Sequence, residues 1–126
     1  MRVVVMDGQG GRMGRLVVEK IRAEGLPCEI VAVGTNAIAT AEMLKAGADA
    51  GATGENPVIV ACRRADVIVG PIGILAADSM LGEVTPAMAL AVAQSDQPWL
   101  VTTLPRRPMA SFSRSMEPFI HVSSLS

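Results

Sequence analysis

Short aliphatic runs alternate with helix-length stretches along most of this chain, and that alternation narrows the possible fold more than any other feature. Arg2 to Met6 is a β-branched run, and Gly11 to Glu24 then spaces Leu16, Val17 and Ile21 as a helix does, with Gly25 closing it. Glu29 to Val33 is a second strand. Asn36 is the N-cap of a helix running to Ala46, with Gly47 as its stop. A weaker third strand lies at Ala50 to Thr53. Asn56 followed by Pro57 marks a short helix, Asp66 to Gly70 a fourth strand, and Thr85–Pro86 the start of a helix reaching Gln94. Pro98 to Thr103 is a fifth strand, and Phe119 to Val122 resembles a sixth on the edge. Parallel strands joined by helical crossovers bury both sheet faces, which explains why these strands are apolar throughout rather than alternating. The pattern predicts a doubly wound α/β fold: a mainly parallel sheet of five or six strands in a three-layer αβα arrangement. It places one domain over residues 1–105. The stretch 106–126, rich in Ser and basic residues, reads as an irregular tail.

Composition removes several function classes. The chain has no Tyr, one Trp (Trp99), two Phe (Phe112, Phe119) and a net charge of -1. Nucleic-acid binding is not expected, because stacking needs aromatic rings and phosphate tracking needs basic excess. Val67 to Leu81 is apolar but interrupted by Pro71, two glycines and Asp78, so no membrane span is expected. Asp7 cuts the first apolar run too early for a signal peptide. Cys28 and Cys62 lack CxxC or metal-ligand spacing and read as reduced thiols, the usual state in a cytoplasmic protein. With half its residues hydrophobic, so small a domain carries more apolar surface than one core hides. A homo-oligomer is the expectation.

The chemistry-bearing feature is "DGQGGRMGR", Asp7 to Arg15, between the first strand and the first helix. Gly8, Gly11 and Gly14 form GxxGxxG, and Gly10 adds a GxG spacing. In a dinucleotide-binding turn the first glycine makes the bend, the next admits a pyrophosphate, and the third lets the helix lie close to the strand. The unsatisfied N–H groups and positive dipole end of the helix N-terminus, with the side chains of Arg12 or Arg15 in the first turns, supply an anion site, and Gln9 within the turn is a further binding candidate. Asp7 sits awkwardly before a phosphate loop. It either caps backbone N–H groups or holds Mg²⁺, and capping is the preferred role.

Ligand crevices in such sheets lie beyond the carboxyl ends of the strands. There the sequence gathers Gly34-Thr35-Asn36 after the second strand, Thr53-Gly54-Glu55-Asn56 after the third, Gly70-Pro71-Ile72-Gly73 after the fourth, and Thr102-Thr103 after the fifth. The second strand lacks the acid that commonly holds an adenosine ribose; Thr35 and Asn36 can hydrogen-bond a ribose or a 2′-phosphate, which favours NADP over NAD. In "GPIGILAADSMLGEVTP" the carboxylates are Asp78 and Glu83. They are acid–base or metal candidates, although capping of the helix near Pro86 is the plainer expectation. Met80 and Leu81 read as core or interface.

"GGRMGR" is similar to the glycine loop of dihydrodipicolinate reductase, an NAD(P)H enzyme, over about fifteen residues, which implies a Rossmann-type pyrophosphate turn at Gly8, Gly11 and Gly14. That family's His-His and Lys motif is absent, since His121 is the only histidine and Lys20 and Lys45 the only lysines. "DGQGG", "GTNAIATAEMLKAGAD", "GATGEN" and "GPIGILAADSMLGEVTP" together resemble a family of small bacterial proteins, described only as a domain of unknown function, over about the first 105 residues. That resemblance implies a Rossmann-like fold and no activity. The expectation is therefore a nucleotide or dinucleotide binder. Three alternatives stay open: a ligand-sensing, non-catalytic oligomer, a small Mg²⁺-dependent enzyme on a phosphorylated metabolite, and a structural or partner subunit whose glycine turn stays empty.

Overall fold

A computed structural model of the chain describes residues 1–75, 77–95, 99–102 and 120–123. In order they form β1 (Arg2–Asp7), α1 (Arg12–Ala23), β2 (Glu29–Gly34), α2 (Ala37–Lys45), β3 (Ala50–Thr53), α3 (Glu55–Arg64) and β4 (Val67–Pro71). A 3₁₀ turn (Ile72–Leu75), the single turn α4 (Ser79–Gly82), α5 (Pro86–Ala93), β5 (Trp99–Thr102) and β6 (Ile120–Ser123) follow.

The helix boundaries follow local chemistry. Asn36 caps α2 by accepting the Ala39 N–H, and Thr85 caps α5 through the Met88 N–H. Gly25 ends α1 and Gly47 ends α2, both with positive φ. Each bonds back to the helix in the same way: Gly25 N–H to Arg22 and Leu26 N–H to Ile21, then Gly47 N–H to Leu44 and Ala48 N–H to Met43. That paired bonding satisfies carbonyls that a helix end otherwise leaves open. The start of α3 differs from expectation. Gly54 takes the cap position and Pro57 is the third helical residue, where its missing N–H still costs no intrahelical bond.

Helices flank a mainly parallel sheet whose first four strands lie in the order β3-β2-β1-β4, the doubly wound arrangement expected. β5 continues the order in parallel beside β4, and β6 runs antiparallel beside β5. Within the expected 106–126 tail only 120–123 is described, as β6; the rest of that stretch and the boundary at 105 lie outside the described residues.

Alternate residues of β1 feed two cores. Val3 and Val5 join Val17, Val18, Ile21 and Met43 beneath α1 and α2. Val4 and Met6 join Val58, Ile68, Ile74 and Val92 beneath α3 and α5. This is the three-layer arrangement, with a sheet buried on both faces. Cys28 is half-buried and Cys62 buried, both as free thiols. No helix among the described residues is long and apolar enough to cross a membrane. Several apolar side chains remain outside, including Leu16, Ile38, Leu44, Leu90 and, most of all, Leu81.

Candidate functional site

The register brings Asp7, Gly34 and Thr53 side by side at the carboxyl edge of β1, β2 and β3. The strand order reverses direction between β1 and β4, and in sheets of this kind the ligand crevice lies at this edge, where the two connections part.

Asp7 lies buried at the end of β1. It is 4% exposed, and its carboxylate accepts the Gly8 N–H at 2.8 Å and the Gly14 N–H at 2.7 Å. Burial raises its pKa above the ordinary 3.8; the N–H groups of Gly14, Gly8 and Met13 oppose that rise, and the negative Glu83 adds to it. Capping of the α1 entrance is therefore what this carboxylate does. Amides that a phosphate would use there are already committed to it.

The glycines divide by what a β-carbon would meet. At Gly14 it would lie 2.9 Å from Asp7 Cβ and 2.5 Å from Met43 Sδ, so the missing side chain lets α1 approach β1 and α2. Gly11 has a φ of 72°, and its β-carbon would lie 2.7 Å from Ala39 Cα. The space a side chain would need there is taken by α2. A β-carbon on Gly8 would lie 2.5 Å from Thr35 Oγ1 and 2.6 Å from Met80 Sδ, facing the crevice. Gly10 has open space.

Glu83 reaches across the crevice from the segment after β4. Its carboxylate accepts the Gln9 N–H at 2.7 Å, the Asn36 Nδ2 amide at 2.5 Å and, weakly, the Thr35 hydroxyl at 3.4 Å. Asn36 also donates to the Gln9 carbonyl at 2.9 Å while capping α2. The glycine turn, the end of β2 and the Glu83 segment are thus tied at one point. Asn36→Ala should destabilise the fold by about 1–2 kcal/mol, one helix cap plus the tie to Gln9 and Glu83; chemical denaturation measures this, and an unchanged stability would mean water replaces all of these bonds.

The other predicted residues fall as follows. A β-carbon on Gly34 would run into Thr40 Oγ1 and the Asn36 carbonyl, and one on Gly70 would lie 2.9 Å from the Met6 carbonyl, so both keep neighbouring backbones close. Gly73 lies beneath Ser79 and Met80. Arg12 is exposed and makes no hydrogen bond or ion pair among the described residues, whereas Arg15 pairs with Glu19 and Glu42. Neither acid caps α5: Thr85 does so, itself donating to Glu55, while Asp78 stands apart in left-handed backbone with its N–H bonded to the Val84 carbonyl. The described residues contain no group of three His, Cys, Asp or Glu side chains able to hold a metal ion. Thr102 belongs to β5, and Thr103 lies outside the described residues.

Sequence reasoning missed Met80 as a crevice wall and missed the partners of Glu83. Gln9 and Glu83 are 74 positions apart, and no local pattern links them.

A family model described as "Domain of unknown function (DUF3842)" matches residues 2–123, and the chain belongs to that family. The match runs past Pro105 to include β6. Among curated proteins no match to the chain is found.

Proposed function

From membership in a family without an assigned activity, we propose that this protein binds a nucleotide or dinucleotide, NADP-like rather than NAD-like, in the crevice between the β1 and β4 ends. One observation carries the reading. Donors from two separate strand ends, the Gln9 N–H and the Thr35 and Asn36 side chains, converge on a single acceptor position at the switch in strand order. Neutral donors with no acid at the carboxyl end of β2 suit a 2′-phosphate better than a bare ribose diol, which an acid usually holds. Arg12, exposed at the start of α1 and with no ion-pair partner among the described residues, adds a positive charge beside the turn.

A ligand-sensing oligomer is the companion reading. Leu81 is 97% exposed on the segment that also presents Glu83, so a ligand that moves this segment alters an apolar contact surface. The Mg²⁺ reading is less favoured, because the Asp7 oxygens already accept backbone amides. A cytoplasmic setting accords with the two free thiols.

Thermal unfolding against NAD⁺, NADP⁺, ATP, AMP, coenzyme A and flavin nucleotides, with and without Mg²⁺, tests the proposal. A ligand at about a hundred times its Kd adds about 2.7 kcal/mol, a rise of several degrees. The expected result is a larger shift with NADP⁺ than with NAD⁺. A flat response across the panel, in protein free of co-purified ligand, would reject nucleotide binding.

A further inference from the structure

We infer that Glu83 is a built-in competitor for this crevice: its carboxylate occupies the place of a ligand's phosphate, and an anionic ligand binds by displacing it. The inference rests on the nucleotide reading above and deepens it. A carboxylate and a phosphate both present paired oxygens to N–H and O–H donors, and Glu83 draws on the Gln9 N–H, the Asn36 amide and the Thr35 hydroxyl together. Little beyond these bonds favours its position electrostatically. Asp7 lies close enough for its pKa to register the Glu83 charge, and no cation is paired with Glu83 among the described residues.

The segment that carries Glu83 is built to yield. Its neck is closed by the Asp78 N–H bonding the Val84 carbonyl at 2.6 Å, with Val84 itself 1% exposed. Asp78 at the neck, and Met80 and Leu81 beyond it, have φ of 64°, 55° and 58°, a left-handed conformation that side-chain-bearing residues seldom adopt. Strained backbone of this kind persists only where surrounding contacts hold it and gathers at ligand clamps and switches. Here the holding contacts are the Glu83 bonds, the Ser79 hydroxyl on the Gly73 carbonyl, and Met80 packed over Gly8. A ligand that supplies its own anion takes over the first of these.

The test is calorimetric titration of adenosine 2′,5′-bisphosphate, with adenosine as the uncharged comparison, into the wild-type chain, Glu83→Ala and Glu83→Gln. Both variants should bind the bisphosphate more tightly, Glu83→Ala by about tenfold or more, while adenosine affinity changes little. Glu83→Gln keeps the shape and removes the charge, so it decides the matter if Glu83→Ala does not fold. Equal or weaker bisphosphate binding by folded variants overturns the competitor and leaves nucleotide binding standing. Absence of bisphosphate binding by wild type and variants alike overturns both.

Discussion

Gly11→Ala should lower folding stability by about 3 kcal/mol or more, with the unfolding midpoint falling about ten degrees, whether or not a nucleotide is present. Two costs add. A φ of 72° is left-handed, and the new β-carbon would sit 2.7 Å from Ala39 Cα and 3.0 Å from the Ala39 carbonyl oxygen. Backbone cannot retreat as a flexible side chain can, so α1 and α2 must separate where they cross. Gly10→Ala provides the contrast. Its β-carbon finds nothing closer than Arg12 Cγ at 3.9 Å, and its stability should change by less than about 0.5 kcal/mol. Thermal melts of both variants without ligand decide the point. If Gly11→Ala melts like wild type, α2 is not packed against the turn.

Asp7→Ala should cost about 2 kcal/mol, because the N–H groups of Gly8 and Gly14 lose their acceptor while relief of the buried charge offsets part of the loss. Chemical denaturation at neutral pH measures it. The same residue sets a pH dependence. Burial, and then the Glu83 charge, outweigh the amide bonds and raise the native pKa above the 3.8 of the unfolded chain. The native state therefore binds this proton more tightly. Its contribution is fully present below pH 3.8 and is lost as pH rises through the native value. Asp7→Asn abolishes that titration, so the stability of wild type minus that of Asp7→Asn should fall as pH rises from below 3.8 through the raised native value. A difference that rises instead would mean the amide bonds outweigh burial and hold the pKa down.

Much of the architecture was legible in the chain. The apolar runs marked β1 to β4, and Asn36, Thr85, Gly25 and Gly47 marked helix ends, because each signal acts within a few residues of itself. The start of α3 misled for the same local reason: Asn56–Pro57 has the form of a helix start, yet the helix begins one residue before Asn56. The turn of four residues at Ser79–Gly82 has no helical periodicity, and its left-handed backbone is imposed by contacts elsewhere.

What the sequence determined by itself was a parallel, helix-covered sheet with a glycine turn after its first strand, since hydrophobic period, caps and stops are short-range physics. Tertiary structure alone decided what each glycine is for. Gly11 and Gly14 admit α2, whereas Gly8 faces the crevice, and the difference lies in neighbours more than 25 positions away. It also decided the part played by Glu83, which meets Gln9 and Asn36 only after β1, β2 and β4 align their ends at one edge. A carboxylate's partners are set by the surface it folds against, and no local spacing in the chain carries that information.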